Sequence, residues 1–265
     1  MLTADVRFPS ARTHGLPADL ALAATLYLPQ ETCPLPAPGL IVGHGAGSHR
    51  LRHDVFCREA CLHGFAVLAL DFRGHGDSEG AADGPLEEDI LAAAHFLRRH
   101  PGIDDRHICY RGSSMGGFYG LKAASAARFT AMVLVCPASE TVMLAAIDDA
   151  ETTTRDTESP SATDEAQTTT STRWDVAPLR AYFQRENSYR LAARVRCPAL
   201  LVHVREDPVV PFEHSLMLAA RLGGDATLLA LATGTHTTAQ HDPAIHALAA
   251  SWLLAQIKTS CTGRT

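Results

Sequence analysis

Short apolar runs alternate with longer amphipathic stretches along most of the chain. Several of the short runs consist almost entirely of Val, Ile, Leu and Ala, which is typical of parallel strands covered on both faces. The predicted strands are Ala23–Leu28, Gly39–Val42, Ala66–Leu70, His107–Tyr110, Ala131–Val135, Ala199–Val204 and Ala226–Leu231, and the predicted helices are Asp54–His63, Leu86–His100, Gly117–Ala126, Phe212–Leu222 and Ala244–Ile257. This alternation predicts an α/β fold in which helices wrap a mostly parallel sheet. The first strand precedes the alternation, so we expect it to belong to an antiparallel N-terminal hairpin.

One region, from about Ser139 to Arg196, interrupts the pattern. Its centre is rich in Thr, Ser and acidic residues and has too few apolar side chains to order itself strongly. We interpret residues 139–196 as a lid insertion with anchored ends and a polar, mobile centre, and residues 1–138 and 197–265 as the core domain. A structureless surface excursion is the competing interpretation. The apolar residues of the two flanks either line a pocket or pack onto the body: Met143, Leu144, Trp174, Leu179, Tyr182 and Phe183.

Composition and charge narrow the class of protein. A chain of 265 residues with 46% hydrophobic content is large enough for one domain with a sizeable core. The formal net charge of −6 and the absence of basic clusters argue against nucleic acids and anionic membranes as partners. No run of 18 apolar residues occurs, so we expect no membrane span.

The cysteines and the N-terminus together predict a cytoplasmic protein. The first residues have no apolar signal-peptide core, and seven cysteines is an odd number for a disulfide framework, so reduced thiols are expected. Cys57 and Cys61 are four residues apart on a predicted helix and could share a metal ion. Without a Cys-x-x-Cys pair, two packed thiols are the favoured interpretation.

The most informative motif joins a predicted strand to a predicted helix. Residues 112–116 read GSSMG and fit G-x-S-x-G, the turn that holds a nucleophilic serine above a sheet in a strained conformation. Centring the motif on Ser114 places Gly112 and Gly116 at the flanking positions, where side chains would collide with the neighbouring strand and helix. Centring it on Ser113 would place Arg111 and Met115 there. Ser114 is therefore the candidate nucleophile.

A second motif, HGAGS, follows the strand that ends at Gly43. With the serine turn, it makes the chain resemble the α/β-hydrolase superfamily, and most closely its serine esterase, feruloyl-esterase-like and serine-aminopeptidase-like branches. The resemblance implies an oxyanion hole formed by the backbone N–H groups of Ala46 and Met115. His44 is interpreted as a structural residue that holds this loop.

The segment LALDFRGHGDSEG, residues 68–80, follows the next strand and resembles the D-x-R-G-x-G-x-S segment of the same superfamily. We expect Asp71, Arg73, Asp77 and Ser78 to satisfy backbone groups of the loop. His75 precedes the nucleophile, which disagrees with the superfamily's order of serine, acid and histidine, so it is interpreted as structural.

The acid and the base are also implied by the resemblance. Residues 205–211, REDPVVP, resemble the superfamily's acid loop and place the acid at Asp207, with Glu206 and Glu140 as rivals. His236, after the last predicted strand, is the expected base, and His241 is the runner-up.

These residues predict a Ser-His-Asp hydrolase with an acyl-enzyme intermediate, a small-molecule ester as substrate, and no cofactor or metal. A peptidase, an amidase or a thioesterase with the same triad is the alternative. A catalytically silent binding protein on this fold is a third hypothesis, although no triad member is missing. We also expect that replacing Thr152–Thr172 by a short Gly/Ser linker preserves folding and the hydrolysis of a small acetate ester.

Overall fold

The computed structural model describes residues 1–10, 20–30, 35–156 and 172–262. The strands are β1 (Leu2–Pro9), β2 (Ala21–Leu28), β3 (Ala37–Gly43), β4 (Ala66–Leu70), β5 (Ile103–Ser113), β6 (Met132–Val135), β7 (Ala199–Val204) and β8 (Ala226–Leu231). The helices are α1 (Asp54–Leu62), α2 (Glu87–Arg98), α3 (Met115–Ala127), α4 (Glu140–Asp156), α5 (Val176–Phe183), α6 (Ser188–Ala192), α7 (Phe212–Ala219), α8 (Thr238–His241) and α9 (Pro243–Thr262). Within these ranges, no helix is both long and apolar enough to span a bilayer.

The described strands form one sheet in the order β1-β2-β4-β3-β5-β6-β7-β8. β2 pairs in antiparallel fashion with β1 and β4, and the remaining neighbours pair in parallel. The mostly parallel sheet and the N-terminal hairpin are thereby confirmed. β1 was not predicted because most of its residues are exposed. Its backbone pairing with β2, rather than an apolar pattern, makes it a strand.

Helices cover both faces of the sheet, which explains the nearly continuous apolar strands. Along β4, Leu68 belongs to the core on the side of α2 and α3, whereas Val67 and Ala69 belong to the core on the side of α1 and α9. All residues of β4 are buried. A strand covered on both faces has no polar side, so its sequence reads as an apolar run rather than an alternation.

β5 is longer than its predicted segment, His107–Tyr110. Its first half includes Asp104 and exposed polar residues, and its pairing with β3 shifts register between Pro38 and Gly39. The polar composition concealed this half of the strand. The predicted bounds of β4, β7 and β8 agree with the structure.

The described parts of residues 139–196 contain α4, α5 and α6, which the sequence pattern did not predict. α5 is only eight residues long, and its apolar side chains at i, i+3 and i+4 are too few to stand out as a pattern. Leu179 and Phe183 are almost completely buried, and the Phe183 ring centre lies 5.3 Å from that of Phe118 on α3. Of the two interpretations of these apolar flanks, packing onto the body is the one observed for α5.

The chain re-enters the described range beside the loop that follows β4. Arg173 N donates to Gly74 O at 2.7 Å, and Ala82 N donates to Arg173 O at 2.8 Å. Residues 157–171, which hold most of the Thr-rich centre, lie outside the described residues. The division of the chain into a core and a lid therefore stays a prediction, as does the outcome of the linker replacement.

Candidate active site

The predicted site residues all follow the carboxyl ends of parallel strands. Residues 44–48 follow β3, Ser114 follows β5, Asp207 lies in the loop after β7, and His236 lies in the loop after β8. These strands run in the same direction, so their carboxyl ends meet at one edge of the sheet. The fold brings together segments that are far apart in the sequence.

Ser114 connects β5 to α3 in a conformation that non-glycine residues rarely adopt. Its φ is 49° and its ψ is −115°. The turn is fixed on both sides, because Ser114 N donates to Val135 O at 3.0 Å and Ser114 O accepts from Gly117 N at 2.8 Å. The Ser114 residue is partly exposed. Ser113, by contrast, is 0% exposed.

Steric crowding explains the two flanking glycines. A Cβ atom on Gly112 would lie 2.5 Å from Gly116 O, and a Cβ atom on Gly116 would lie 2.6 Å from Gly43 O. Both obstacles are backbone atoms, which cannot move aside as a flexible side chain could. The predicted collisions at these two positions are confirmed.

His44 fastens the HGAGS loop to the end of β4. Its Nδ1 lies 2.8 Å from Gly45 O, and its Nε2 accepts from Phe72 N at 3.1 Å, so Nδ1 carries the proton. Burial lowers the pKa of His44 to about 4, which keeps the ring neutral and preserves both bonds. These contacts agree with a structural role for His44.

The same loop is attached to the first turn of α3. Gly116 N donates to His44 O at 3.1 Å, and a Cβ atom on Gly45 would lie 3.4 Å from Ser114 Cβ. Met115, the first residue of α3, is 0% exposed. Ala46, which is exposed, lies in the adjoining turn. The turn and the helix start are thus neighbours of Ser114.

Asp207 and His236 form a short hydrogen bond. His236 Nδ1 donates to Asp207 Oδ2 at 2.7 Å, and the Asp207 side chain is 0% exposed while that of His236 is 12% exposed. The other carboxylate oxygen, Oδ1, accepts from Val209 N at 2.8 Å and Val210 N at 3.0 Å. Asp207 thus binds Nδ1 of the His236 ring and does not bind the other ring nitrogen, Nε2.

The hydrogen bonds around Asp207 keep it ionised. Burial alone would raise the pKa of this carboxyl, but hydrogen bonds from His203, His236 and two backbone amides outweigh burial and hold the pKa far below its ordinary value. His203 Nε2 lies 3.4 Å from Asp207 Oδ2 and 2.9 Å from Val210 O. A permanently negative acid next to a histidine favours the charged imidazole that forms during proton transfer.

Two of the rival residues have other partners, and the third is exposed. Glu140 begins α4, and its Oε2 accepts from Ser188 N at 2.9 Å. Glu206 is exposed beside the acid loop. His241 stacks on His53 with ring centres 5.5 Å apart, and burial lowers its pKa to about 4. Of the predicted alternatives, Asp207 and His236 are the pair that the fold brings into contact.

Cys136, which follows β6, is a neighbour that the sequence did not single out. Its Sγ, the Asp207 carboxylate and a His236 ring nitrogen lie within 4.8 Å of one another, and thiolate, carboxylate and imidazole are all zinc ligands. Zinc bound between Nδ1 and Oδ2 would be about 2.0–2.2 Å from each, which requires a wider separation than the observed 2.7 Å. We therefore assign the cluster to hydrogen bonding.

Cys57 and Cys61 are buried thiols in the core between α1 and the sheet, as expected.

The loop after β4 is stabilised by buried charges. Arg73 N donates to Asp89 Oδ2 at 2.8 Å, and Ser78 Oγ donates to Asp71 O at 2.6 Å. Asp71 accepts from the backbone amides of Arg50 and Asp77. The side chain of Asp77 departs from the expectation, since it forms an ion pair with Arg50 at 2.8 Å. His75 is buried, and burial lowers its pKa to about 3.

Three residues near the acid–base pair were missed by sequence reasoning. His203 interrupts the otherwise apolar strand β7, and Arg111 lies in the buried second half of β5; a polar residue at such a position is a signal that could have identified both. Gln240 carried no comparable signal, because it lies among other polar residues in a short helix.

A comparison with protein families matches residues 56–260 to the prolyl oligopeptidase family (peptidase S9). Among curated proteins, the chain is 33% identical over 126 residues to the quorum-quenching protein AidA of Acinetobacter baumannii, covering 45% of this chain and 41% of that protein. It is 36% identical over 104 residues to the mitochondrial acyl-coenzyme A thioesterase 2 of Mus musculus, covering 38% of this chain and 22% of that protein. The chain thus spans less than half the length of these relatives.

Solved structures share the fold over nearly the whole chain. Est1E from Butyrivibrio proteoclasticus, solved with ferulic acid, superposes with a TM-score of 0.71 at 23% identity, covering 91% of this chain and 97% of that one. An esterase from Pyrococcus furiosus superposes with a TM-score of 0.71 at 18% identity, covering 96% and 91%. The predicted α/β-hydrolase fold is confirmed.

Proposed function

The chain belongs to the prolyl oligopeptidase family, and we propose that within it the protein is a serine hydrolase that cleaves carboxylic esters. The observation that carries this proposal is the arrangement at one sheet edge of a strained, partly exposed Ser114 and a His236–Asp207 pair joined at 2.7 Å. These are the nucleophile, the base and the acid of a Ser-His-Asp triad. The substrate is a small-molecule ester.

In the proposed mechanism, His236 Nε2 accepts the proton of Ser114 Oγ as that oxygen attacks the ester carbonyl carbon. The tetrahedral intermediate collapses, the C–O bond to the alcohol breaks, and His236 returns the proton to the leaving oxygen. Water, deprotonated by the same nitrogen, then attacks the acyl carbon. The bond from that carbon to Ser114 Oγ breaks, His236 returns the proton to Oγ, and the acid leaves. Asp207 keeps the Nδ1 proton in place throughout and stabilises the imidazolium.

The backbone N–H groups of Ala46 and Met115 are proposed to bind the oxyanion. Two contacts support this assignment: Gly45 approaches Ser114, and the start of α3 is tied to the same loop through the bond from Gly116 N to His44 O. Loss of one such donor costs roughly 3–4 kcal/mol of transition-state stabilisation in a well-studied protease. Glycines in the loop allow the backbone to approach a substrate closely.

Thioester hydrolysis is the second candidate function. It is favoured by relatives that are named acyl-coenzyme A thioesterases, one of which is 36% identical over 104 residues. The chemistry differs only in the leaving atom, since a thiolate leaves in place of an alkoxide. The family name also gives a reason to test peptide-like substrates, because peptidases cleave them with the same kind of triad.

The test combines active-site labelling with a substrate panel. A fluorophosphonate probe should label the wild type and the Ser113→Ala variant but not the Ser114→Ala variant. Turnover of p-nitrophenyl esters, an acyl-coenzyme A and aminoacyl anilides would then rank ester, thioester and amide cleavage. The loss of kcat in Ser114→Ala should reach several orders of magnitude, by analogy with losses of about a millionfold elsewhere. Labelling of Ser114→Ala, or its absence in the wild type, would refute the proposal.

A further inference from the structure

Arg111 is a buried cation for which the described residues provide no carboxylate partner. It lies on β5, three positions before Ser114, and is 1% exposed. Its NH1 donates to His53 Nδ1 at 2.9 Å, and its guanidinium carbon lies 4.7 Å from the centre of the Phe56 ring. Burial lowers the pKa of Arg111 to about 10. Burying a charge without a counter-ion is unfavourable, so the position calls for an explanation beyond packing.

The second terminal nitrogen of Arg111 binds the segment that carries the base. NH2 donates to Gln240 O at 2.8 Å, across a separation of 129 residues in the sequence. The same carbonyl accepts from His246 Nε2 at 3.0 Å. The Gln240 carbonyl oxygen thus accepts two hydrogen bonds, one from a residue of β5 and one from a residue of α9. Gln240 is 8% exposed.

The side chain of Gln240 continues the connection to the base. Its Nε2 donates to His236 O at 3.0 Å. Its Oε1 points to the HGAGS loop, because a Cβ atom on Gly45 would lie 4.0 Å from it. Two hydrogen bonds therefore connect Arg111, on the strand that precedes Ser114, through Gln240 to the backbone of His236.

The loop of His236 needs such a connection because it buries little of itself. Residues 232–235 and 237–238 are exposed on either side of His236, and among the described strands β8 pairs only with β7. Apolar packing resumes only at Ala239, which is 2% exposed, so polar contacts hold His236 itself. Its two observed attachments are the bond from Nδ1 to Asp207 and the bond from Gln240 to its carbonyl.

We propose that Arg111 and Gln240 are positioning residues that fix His236 relative to Ser114. The proposal rests on the triad assigned under the proposed function. Arg111 holds Gln240, and Gln240 holds the His236 backbone. Arg111 itself lies on β5, the strand that leads directly into Ser114. A displacement of about 1 Å in a catalytic group can reduce turnover about a hundredfold, so loss of this connection should affect kcat.

The test uses three variants and one matched control. Arg111→Met removes the donor to Gln240, Arg111→Lys keeps the charge, and Gln240→Met keeps the length of the side chain but removes the donor to His236. Arg98→Met is the control, because Arg98 also donates to a backbone carbonyl, that of Ala127, far from the site. We expect kcat for a p-nitrophenyl ester to fall about 10- to 100-fold in Arg111→Met and Gln240→Met with KM little changed. We expect Arg111→Lys to recover part of the loss, and the control to remain within about twofold of the wild type.

A double-mutant cycle separates positioning from a general structural effect. If Arg111 acts through His236, adding Arg111→Met to His236→Ala should cause no further loss of turnover, whereas independent effects would multiply. Multiplied losses, or an unchanged kcat in Gln240→Met, would overturn the proposal. If Arg111→Met does not fold, Gln240→Met and Arg111→Lys decide the question in the same cycle.

Amide hydrogen exchange gives an outcome independent of catalysis. Exchange in residues 234–242 should accelerate in Arg111→Met and Gln240→Met but not in Arg98→Met. Equal exchange in all variants would overturn the proposed connection even if turnover fell. Turnover in His236→Ala equal to that of the wild type would instead refute the proposed triad, so the two failures are distinguishable.

Discussion

Replacing Asp207 by Asn should leave the fold in place and nearly abolish turnover. In the wild type, Oδ1 accepts from two backbone amides, those of Val209 and Val210, and Oδ2 accepts from His236 Nδ1 at 2.7 Å. The asparagine oxygen should stay with the two backbone donors, because an amide NH2 group cannot accept from them. The NH2 group then faces His236 Nδ1, which must accept its hydrogen bond.

The reversed hydrogen bond places the imidazole proton of His236 on the wrong nitrogen. With Nδ1 as an acceptor, the proton resides on Nε2, which can no longer take the proton of Ser114. The corresponding change in a triad protease lowers kcat about 10⁴-fold. At 1.36 kcal/mol for each factor of ten, this is roughly 5 kcal/mol of transition-state stabilisation.

The assay is kcat for p-nitrophenyl acetate at saturation, measured for Asp207→Asn and two carboxylate controls. Glu206→Gln changes the exposed neighbour of Asp207 and should remain within about twofold of the wild type. Glu140→Gln weakens a bond to Ser188 N rather than a contact with His236. Near-normal turnover in Asp207→Asn together with a large loss in Glu140→Gln would assign the acid to Glu140, at the start of α4, and refute the reasoning.

The stability difference between the wild type and Asp207→Asn should depend on pH. The pKa of folded Asp207 lies far below its ordinary value, so its ionisation stabilises the fold at all pH values above the unfolded pKa, near 4. This contribution is lost as pH falls towards the folded pKa. The melting temperature of the wild type should therefore exceed that of Asp207→Asn at pH 7, and the difference should shrink below about pH 4. A difference that grows on acidification would contradict the assigned hydrogen bonds.

Three further outcomes follow from burial and packing. Phe183→Ala removes a ring that is 0% exposed and packed on Phe118. Calorimetry should therefore show that the free energy of unfolding falls by about 3–5 kcal/mol. A change in substrate preference at unchanged stability would instead favour the interpretation that this ring lines a pocket. Gly116→Ala should give little folded protein by circular dichroism, since its Cβ would lie 2.6 Å from Gly43 O, and a soluble, active variant would show that the loop can yield. Burial raises the pKa of the Cys136 thiol to about 12, so iodoacetamide at pH 8 should leave the esterase activity intact, and inactivation with alkylation at Cys136 would contradict this.

The central part of the fold could be predicted because burial on both faces leaves a simple signature. β4, β7 and β8 are short apolar segments between polar loops, and their predicted bounds agree with the structure. The serine turn could be located for a related reason. Gly112 and Gly116 are required by backbone contacts within a few residues of sequence or in the adjacent loop, so the requirement is visible as a motif.

The remaining features depend on contacts that leave no periodic trace. β1 is a strand because it pairs with β2, although most of its residues are exposed. α5 is stabilised by three side chains on the body of the protein rather than by a long apolar stripe. The bond from Arg111 to Gln240 joins residues 129 positions apart. Nothing in the local sequence of Gln240 indicates that its carbonyl receives a buried arginine.

Several buried polar contacts join the loops at this edge of the sheet to the core. Asp71 accepts from the backbone amide of Arg50, Arg73 pairs with Asp89 at 3.0 Å, and Arg111 binds Gln240. Such groups are costly to bury unless every partner is present, so a substitution at one of them leaves another charge or donor unsatisfied. Apolar contacts, in contrast, tolerate exchanges of similar volume. The loops beside Ser114 and His236 are therefore held by polar contacts that each depend on a specific partner, and substitutions there should cost more stability than exchanges among the surrounding apolar side chains.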